Sequence, residues 1–237
     1  MASDLRKALA SAVIACLAVS SAADGGSGGL TPEAVLEELQ LQYGRHHALE
    51  AEFVQTVRYV EFDTEQRSHG RVFIKKPGRM RMEVEKPQEQ LIITDGDTLW
   101  IYTPEHEQVL RRVLGDVERS FQPAAILFGD SEIAYRFRLV GEAEEGAAAS
   151  GGAAEAGSEA EAPLIVLELT PLDVNPYVSK LILSIDRSTW HVMRLVIDTG
   201  AGTLTTFDFG HGWRKTSLPD SLFHFVPPAG VETFDVQ

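Results

Sequence analysis

Cysteine is almost absent: Cys16 is the only one in 237 residues. No intrachain disulfide can form, and a metal site would have to be built from His, Asp and Glu. Basic residues are also scarce. Lys and Arg number 21 against 35 Asp and Glu, a net charge of −14, which is the wrong sign for clustering on a phosphate backbone, so nucleic acid is not an expected partner. Beyond the N-terminus no uncharged apolar run approaches the roughly 18–20 residues that span a bilayer. There is no Gly-x-Ser-x-Gly elbow, phosphate loop, His-Glu-x-x-His or Cys-x-x-Cys. The seven histidines are dispersed. His46 and His47, the one adjacent pair, would project in different directions on a helix. Glu105-His106-Glu107 would alternate faces on a strand. No spacing singles out two carboxylates for acid–base chemistry. No catalytic residue, metal or cofactor is therefore expected.

What is present is an ordinary globular composition, 44% apolar and 24% charged, enough for one large domain or two small ones. The N-terminus carries an address. Arg6 and Lys7 precede an apolar stretch over residues 8–19, and Ser20, Ser21, Ala22 and Ala23 follow, the layout of a secretory signal over residues 1–22 cut after Ala22. Val13-Ile14-Ala15-Cys16 also reads as a lipobox, in which Cys16 would be lipidated and become the first residue of an anchored protein. Against it, Leu17-Ala18-Val19 carries the apolar run past the cysteine. Residues 23–29, mostly Gly and Ser, form a flexible linker.

From residue 30 the chain reads as one helix, many strands and two interruptions. Thr31-Pro32-Glu33 offers an N-cap, a first-turn proline and an early acid, and Val35, Leu36 and Leu39 make an apolar stripe that ends before Gly44. The period then falls to two. Phe53, Val57 and Tyr59 share a face, as do Val72 and Ile74, with residues 63–69 expected to turn between them. Met80, Met82 and Val84 alternate with Arg79, Arg81, Glu83 and Glu85. Residues 91–94 and 98–102 flank Asp95-Gly96-Asp97, which is hairpin chemistry, and residues 181–185 pair with 192–197 across 186–190. Residues 203–209 and 221–226 supply two further strands. Short strands at such regular spacing indicate an antiparallel sheet curling toward a barrel. The first interruption, residues 120–129, holds Ile126, Leu127 and Phe128 in a short apolar helix suited to a plug or lid. The second, residues 141–162, is almost wholly Gly, Ala, Ser and Glu. It cannot bury enough apolar surface to order itself and is placed as an overgrown hairpin loop.

Methionine is an adaptable thioether, so Met80 and Met82 suit a core or an apolar ligand surface. Three blocks set the weighting: residues 52–57 (EFVQTV), residues 70–82 (GRVFIKKPGRMRM) and residues 86–102 (KPQEQLIITDGDTLWIY). Together with Glu107-Gln108-Val109 and residues 223–231, these resemble the periplasmic outer-membrane lipoprotein carrier (LolA) family from about residue 30 to 231. The resemblance implies a mainly β, α+β fold: an incomplete antiparallel β-barrel with a helical lid, over residues 30–237. It implies a non-enzymatic periplasmic chaperone that binds the acyl chains of lipoproteins and shuttles them from the inner to the outer membrane. The alternatives are a lipid-anchored LolB-like acceptor or envelope-lipid binder of the same fold and, less favoured, an enzyme acting on lipid or polysaccharide. The implied partners are acylated lipoproteins, an inner-membrane ABC-type release complex and an outer-membrane lipoprotein acceptor, and a monomer is expected. Val35, Leu36 and Leu39, with Ile126, Leu127 and Phe128, would belong to the lid. Met80, Met82, Val84, Leu99, Ile101, Leu183 and Val196 would line the acyl site. Lys76 stands where the family places an arginine that latches lid carbonyls.

Overall fold

A computed structural model of the chain describes residues 30–115, 135–143, 164–173, 178–210 and 212–236. The signal, the Cys16 lipobox, the linker, nearly all of the 141–162 segment and the apolar helix with Ile126, Leu127 and Phe128 lie outside the described residues.

Helix α1, Pro32–Gly44, starts where its sequence says it should. Thr31 is extended, and its Oγ1 accepts from the Ala34 N–H at 3.2 Å, satisfying one of the orphan donors of the first turn. Val35, Leu39 and Tyr43 recur at four-residue intervals, so they share one face, and all three are buried. Strands β1 (Ala48–Tyr59) and β2 (Thr64–Lys75) then form a long hairpin closed by a 3₁₀ turn at Val60–Phe62 and by Asp63 at φ 45°. The turn expected over residues 63–69 is thus only its first residue. Thr64 to His69 lack an apolar alternation and read as a turn, yet each pairs with the outer half of β1. Ladder hydrogen bonds and cross-strand contacts such as Ser68 Oγ to Gln55 Oε1, 3.2 Å, override the missing hydrophobic signal.

Strands β3 (Arg79–Lys86), β4 (Gln90–Thr94), β5 (Thr98–Thr103) and β6 (Gln108–Val113) continue as a meander. The other half holds β7 (Tyr135–Ala143), β8 (Leu164–Pro171), β9 (Lys180–Asp186), β10 (Val192–Asp198) and β11 (Thr203–Asp208). The two halves meet where β1 pairs with β11. Short β12 (Arg214–Lys215) also pairs with β1, and β13 (Glu232–Asp235) joins the far edge. The order is β13-β6-β5-β4-β3-β2-β1-β11-β10-β9-β8-β7, so the sheet ends at β13 and β7 without closing. Every pair is antiparallel except β13 with β6, which is parallel.

The two faces carry separate apolar cores. On the concave face, Ile74 faces Met80, Val72 faces Met82, and Leu167, Leu183 and Leu195 form a cross-strand row. Val35, Leu39 and Tyr43 of α1 belong to the same buried cluster. On the convex face the residues of opposite parity, Phe73 and Ile93, are buried outside that cluster. The C-terminal segment lies across them. Residues 221–226, expected as a strand, instead begin in a 3₁₀ turn at Asp220–Phe223, with Phe223 buried. Pro219, Pro227 and Pro228 cannot donate to a ladder, so the segment runs as a strap rather than as a sheet member. Arg81 donates to the Leu222 carbonyl at 3.3 Å, and Phe225 sits 6.4 Å from Trp100 and 5.8 Å from Tyr102 between ring centroids.

Candidate functional site

The concave face is built by parity. Met80, Met82 and Val84 alternate inward on β3, and cross-strand register continues their rows through Thr94 to Leu99 and through Ile92 to Ile101. Exposure grades along those rows. Met80 and Met82 are buried, at 5% and 8% exposed, whereas Ile92, Leu99, Ile101 and Leu110 are only half-buried. An apolar surface that is sealed near β2 and β3 therefore opens toward β4–β6. Such a strip cannot grip a polar molecule, but it covers hydrocarbon at about 25 cal/mol per Å² of area removed from water.

Helix α1 contributes to the same apolar cluster. Val35 and Leu39 are fully buried in the concave cluster and Leu36 is packed at its margin. Leu183 lies in the same cluster. Val196 does not. Val192 faces Ile185 across a regular pair, but the register shifts between Val192 and Arg194, so that Leu195 faces Leu183 and Val196 faces Ile182 on the convex side. A one-residue bulge flips every later side chain. Counting by twos from Val192 selects Val196, and the bulge at Met193 gives its place to Leu195. Phe207 and Phe209 extend the concave row, the former 5.8 Å from Phe53 between centroids. Phe207 and Phe209 share parity on residues 203–209, so alternation alone carries their signal.

Lys75 and Lys76 diverge. Lys75 turns to the convex face, where it donates to the Leu218 carbonyl and pairs with Asp220 at 2.6 Å. Lys76 goes to the other side: its Nζ donates 3.2 Å to the carbonyl of Gly44, the last residue of α1, and its backbone N–H donates 3.0 Å to the His47 carbonyl. A cation at a helix C-terminus meets unsatisfied carbonyls and the negative end of the helix dipole. The residue expected to latch a helix thus touches the end of one.

Tyr43 ties α1 to the far half of the sheet. Its hydroxyl accepts from the Val192 N–H at 2.8 Å, and burial pushes its pKa well above the ordinary tyrosine value despite that bond. The sheet's outer surface is charged. Burial acts to raise the Glu168 carboxyl, but hydrogen bonds from Arg138 and Lys180 outweigh it and hold the group below its ordinary value. Among the described residues no group of three or more His, Cys, Asp and Glu is placed to hold a metal ion. Glu105 and His106 instead engage the Gln88 side chain, each at 3.0 Å.

Comparison with known proteins agrees with this architecture. The family model for the outer membrane lipoprotein carrier protein LolA matches residues 45–226. The outer-membrane lipoprotein carrier protein of Dechloromonas aromatica is 32% identical over 186 residues, covering 78% of this chain and 79% of that protein. The protein of the same name from Chromobacterium violaceum is 32% identical over 184 residues, with 78% and 79% covered. A crystal structure of an uncharacterized conserved protein from Thermus thermophilus shares the fold, at a TM-score of 0.53 and 14% identity, over 86% of this chain and 98% of that one. An open, mostly β sheet curled round one helix, with sequence similarity along most of the chain, has one reading: the chain belongs to the LolA family of outer-membrane lipoprotein carriers.

Proposed function

We propose that this chain is a soluble carrier that takes up the acyl chains of lipoproteins on its concave face and conducts them between membranes. The observation that carries this is the graded apolar surface, buried at Met80 and Met82 and half-exposed at Ile92, Leu99 and Ile101. A sixteen-carbon chain left in water costs on the order of 12 kcal/mol, at ~0.8 kcal/mol per methylene. A shuttle must therefore offer hydrocarbon-covering surface that is already formed yet reachable. Val35, Leu36, Leu39, Val84 and Leu183 would complete that surface, and Ile126, Leu127 and Phe128 would join the lid. Lys76 would hold α1 closed through Gly44. Its point charge has three rotatable donors and no planar fork, so the closed state is less favoured than with arginine.

Export by residues 1–22 would place the carrier in the periplasm as a monomer. It would receive cargo from an inner-membrane ABC-type complex and pass it to an outer-membrane lipoprotein acceptor, with no catalytic step. The Val13-Ile14-Ala15-Cys16 sequence supports the alternative of an anchored acceptor, which the mass of the mature N-terminus decides.

The direct test uses a fluorescent fatty-acyl probe. Leu99 and Ile101 are half-exposed, so Leu99→Glu and Ile101→Glu should leave a folded protein while placing charge on the hydrocarbon path. Probe affinity is expected to fall at least about tenfold in both. Unchanged affinity in folded variants would remove the concave face as the acyl site. Lys76→Arg should slow probe entry and Lys76→Leu should speed it; identical kinetics in both would dismiss the latch.

A further inference from the structure

A second opening lies at the C-terminal end of α1, where Tyr43, Leu49 and Trp213 of the concave cluster border a polar rim. The β9–β10 turn folds beside the helix C-terminus and, with the residues leading into β12, bounds a cleft of about 190 Å³. Gln42, His46, Trp190, His191, Trp213 and Lys215 line it, and none of its nine lining residues is acidic, in a chain where acids outnumber bases 35 to 21. The carboxylates around it are engaged: Glu38 Oε1 accepts from the side-chain amide of Gln42, itself a lining residue, at 2.5 Å. Glu50 pairs with Arg214 at 3.4 Å, and Asp186 Oδ1 accepts from Ser188 and Thr189 inside its own turn.

Three features show that this cleft is built at a cost to the fold. Trp190 holds φ at 59°, a conformation that bulky residues avoid. His191 lies so close to Gly212, itself at φ 68°, that a Cβ there would come within 2.5 Å of the imidazole Nδ1. Trp213 Nε1 is buried and has no hydrogen-bond acceptor among the described residues, which a native fold rarely tolerates without a reason. The local field is positive as well. Burial first, and then the charges of Lys215, Arg45 and His191, hold the His46 imidazole below its ordinary value.

We propose that this cleft binds a compact phosphoester, with the phosphate oxygens on Lys215, His46 and His191 and the small organic part against the Trp190 and Trp213 rings. Donors on several sides suit a tetrahedral group, whose acceptor oxygens point in different directions, better than a planar carboxylate. The cleft has room for a small organic group beside the phosphate. This site does not depend on the carrier reading.

The test follows the indole N–H resonances of the full mature chain, isotopically labelled, during titration with glycerol 3-phosphate and, separately, with glycerophosphoglycerol. Trp190 and Trp213 should shift saturably while Trp100, against Phe225 on the convex face, stays still. The double variant Lys215→Gln, His46→Gln should weaken binding at least about tenfold, and Lys215→Arg should retain it. Tighter binding of the monoester assigns a free phosphate ester; tighter binding of the diester assigns a phospholipid headgroup. Inorganic phosphate acting as well as either ester overturns the proposal. So does the absence of saturation, an equal shift at Trp100, or unchanged affinity in the folded double variant.

Discussion

Tyr43 does two jobs with one side chain: its ring sits in the concave core, 6.4 Å from the Trp213 ring between centroids, and its hydroxyl serves the Val192 N–H. Tyr43→Phe keeps the first and deletes the second, leaving a buried donor unmet, so a loss of about 1–3 kcal/mol in urea unfolding is expected. A pH signature accompanies it. The folded state keeps the phenol protonated above pH ~10, where the unfolded chain ionises. The unfolded state then binds fewer protons, and stability must fall as pH rises through that range. The alkaline slope should shrink in Tyr43→Phe; an identical slope would place its origin elsewhere. Met80 is legible from alternation alone as an inward residue, but its depth is not, because depth depends on the distant residues, among them Val35 and Leu39 of α1, that share its buried cluster. At 5% exposure in a packed cluster, Met80→Glu is expected to lower the thermal midpoint sharply, unlike Leu99→Glu on the same face. Val196 marks the limit of parity reasoning. Nothing in residues 192–197 announces the bulge, since an extra backbone residue is chosen by the register of the neighbouring strands.

At the scale of elements, capping and turn chemistry are readable because they act within a few residues. Thr31, Pro32 and Gly44 bound α1, and Asp95 Oδ1 accepts from both Asp97 and Thr98 in the β4–β5 turn. Thr31→Ala is expected to cost about 1 kcal/mol, measurable by circular dichroism during thermal melting. The strap is different. Phe223 and Phe225 alternate as a strand would, but what they cover is a convex face made by residues more than a hundred positions earlier. Asp220 clasps it, with Lys75 and Arg79 each at 2.6 Å, and hydrogen bonds from Lys75 and then Arg79 hold the carboxyl below its ordinary value. Such a clasp is complete above pH ~4 and is lost as pH falls through the depressed pKa. Asp220→Asn should therefore speed hydrogen exchange over residues 218–225 and leave β8–β10 protected. Unchanged exchange over those residues would show that the strap is held by Phe223 and not by the clasp.

For the whole molecule, strand count and antiparallel meander are evident from spacing, while the long-range decisions are not. Pairing of β1 with β11 joins segments about 150 residues apart, and β13 adds in parallel to β6; neither has a local signal. The β7–β8 hairpin shows where the acidic segment belongs. The two strands remain paired up to Ala143 opposite Leu164, so residues 144–163 leave and return at adjacent backbone positions. Replacing them with a tight turn is expected to leave the urea midpoint unchanged, since loop closure costs only about 0.6 kcal/mol per doubling of length. A marked drop would mean that those residues pack on the body. Their position has another consequence. Among the described residues the unclosed sheet has two rims whose outer backbone donors and acceptors pair with no further strand, each able to accept a strand from another copy. One rim is the four-residue β13; the other is the nine-residue β7, which runs directly into a segment with glutamates at 144, 145, 155, 159 and 161. Like charges brought together by edge pairing repel, so the shortened chain, though equally stable, should form concentration-dependent oligomers in sedimentation at low salt where the full chain stays dispersed.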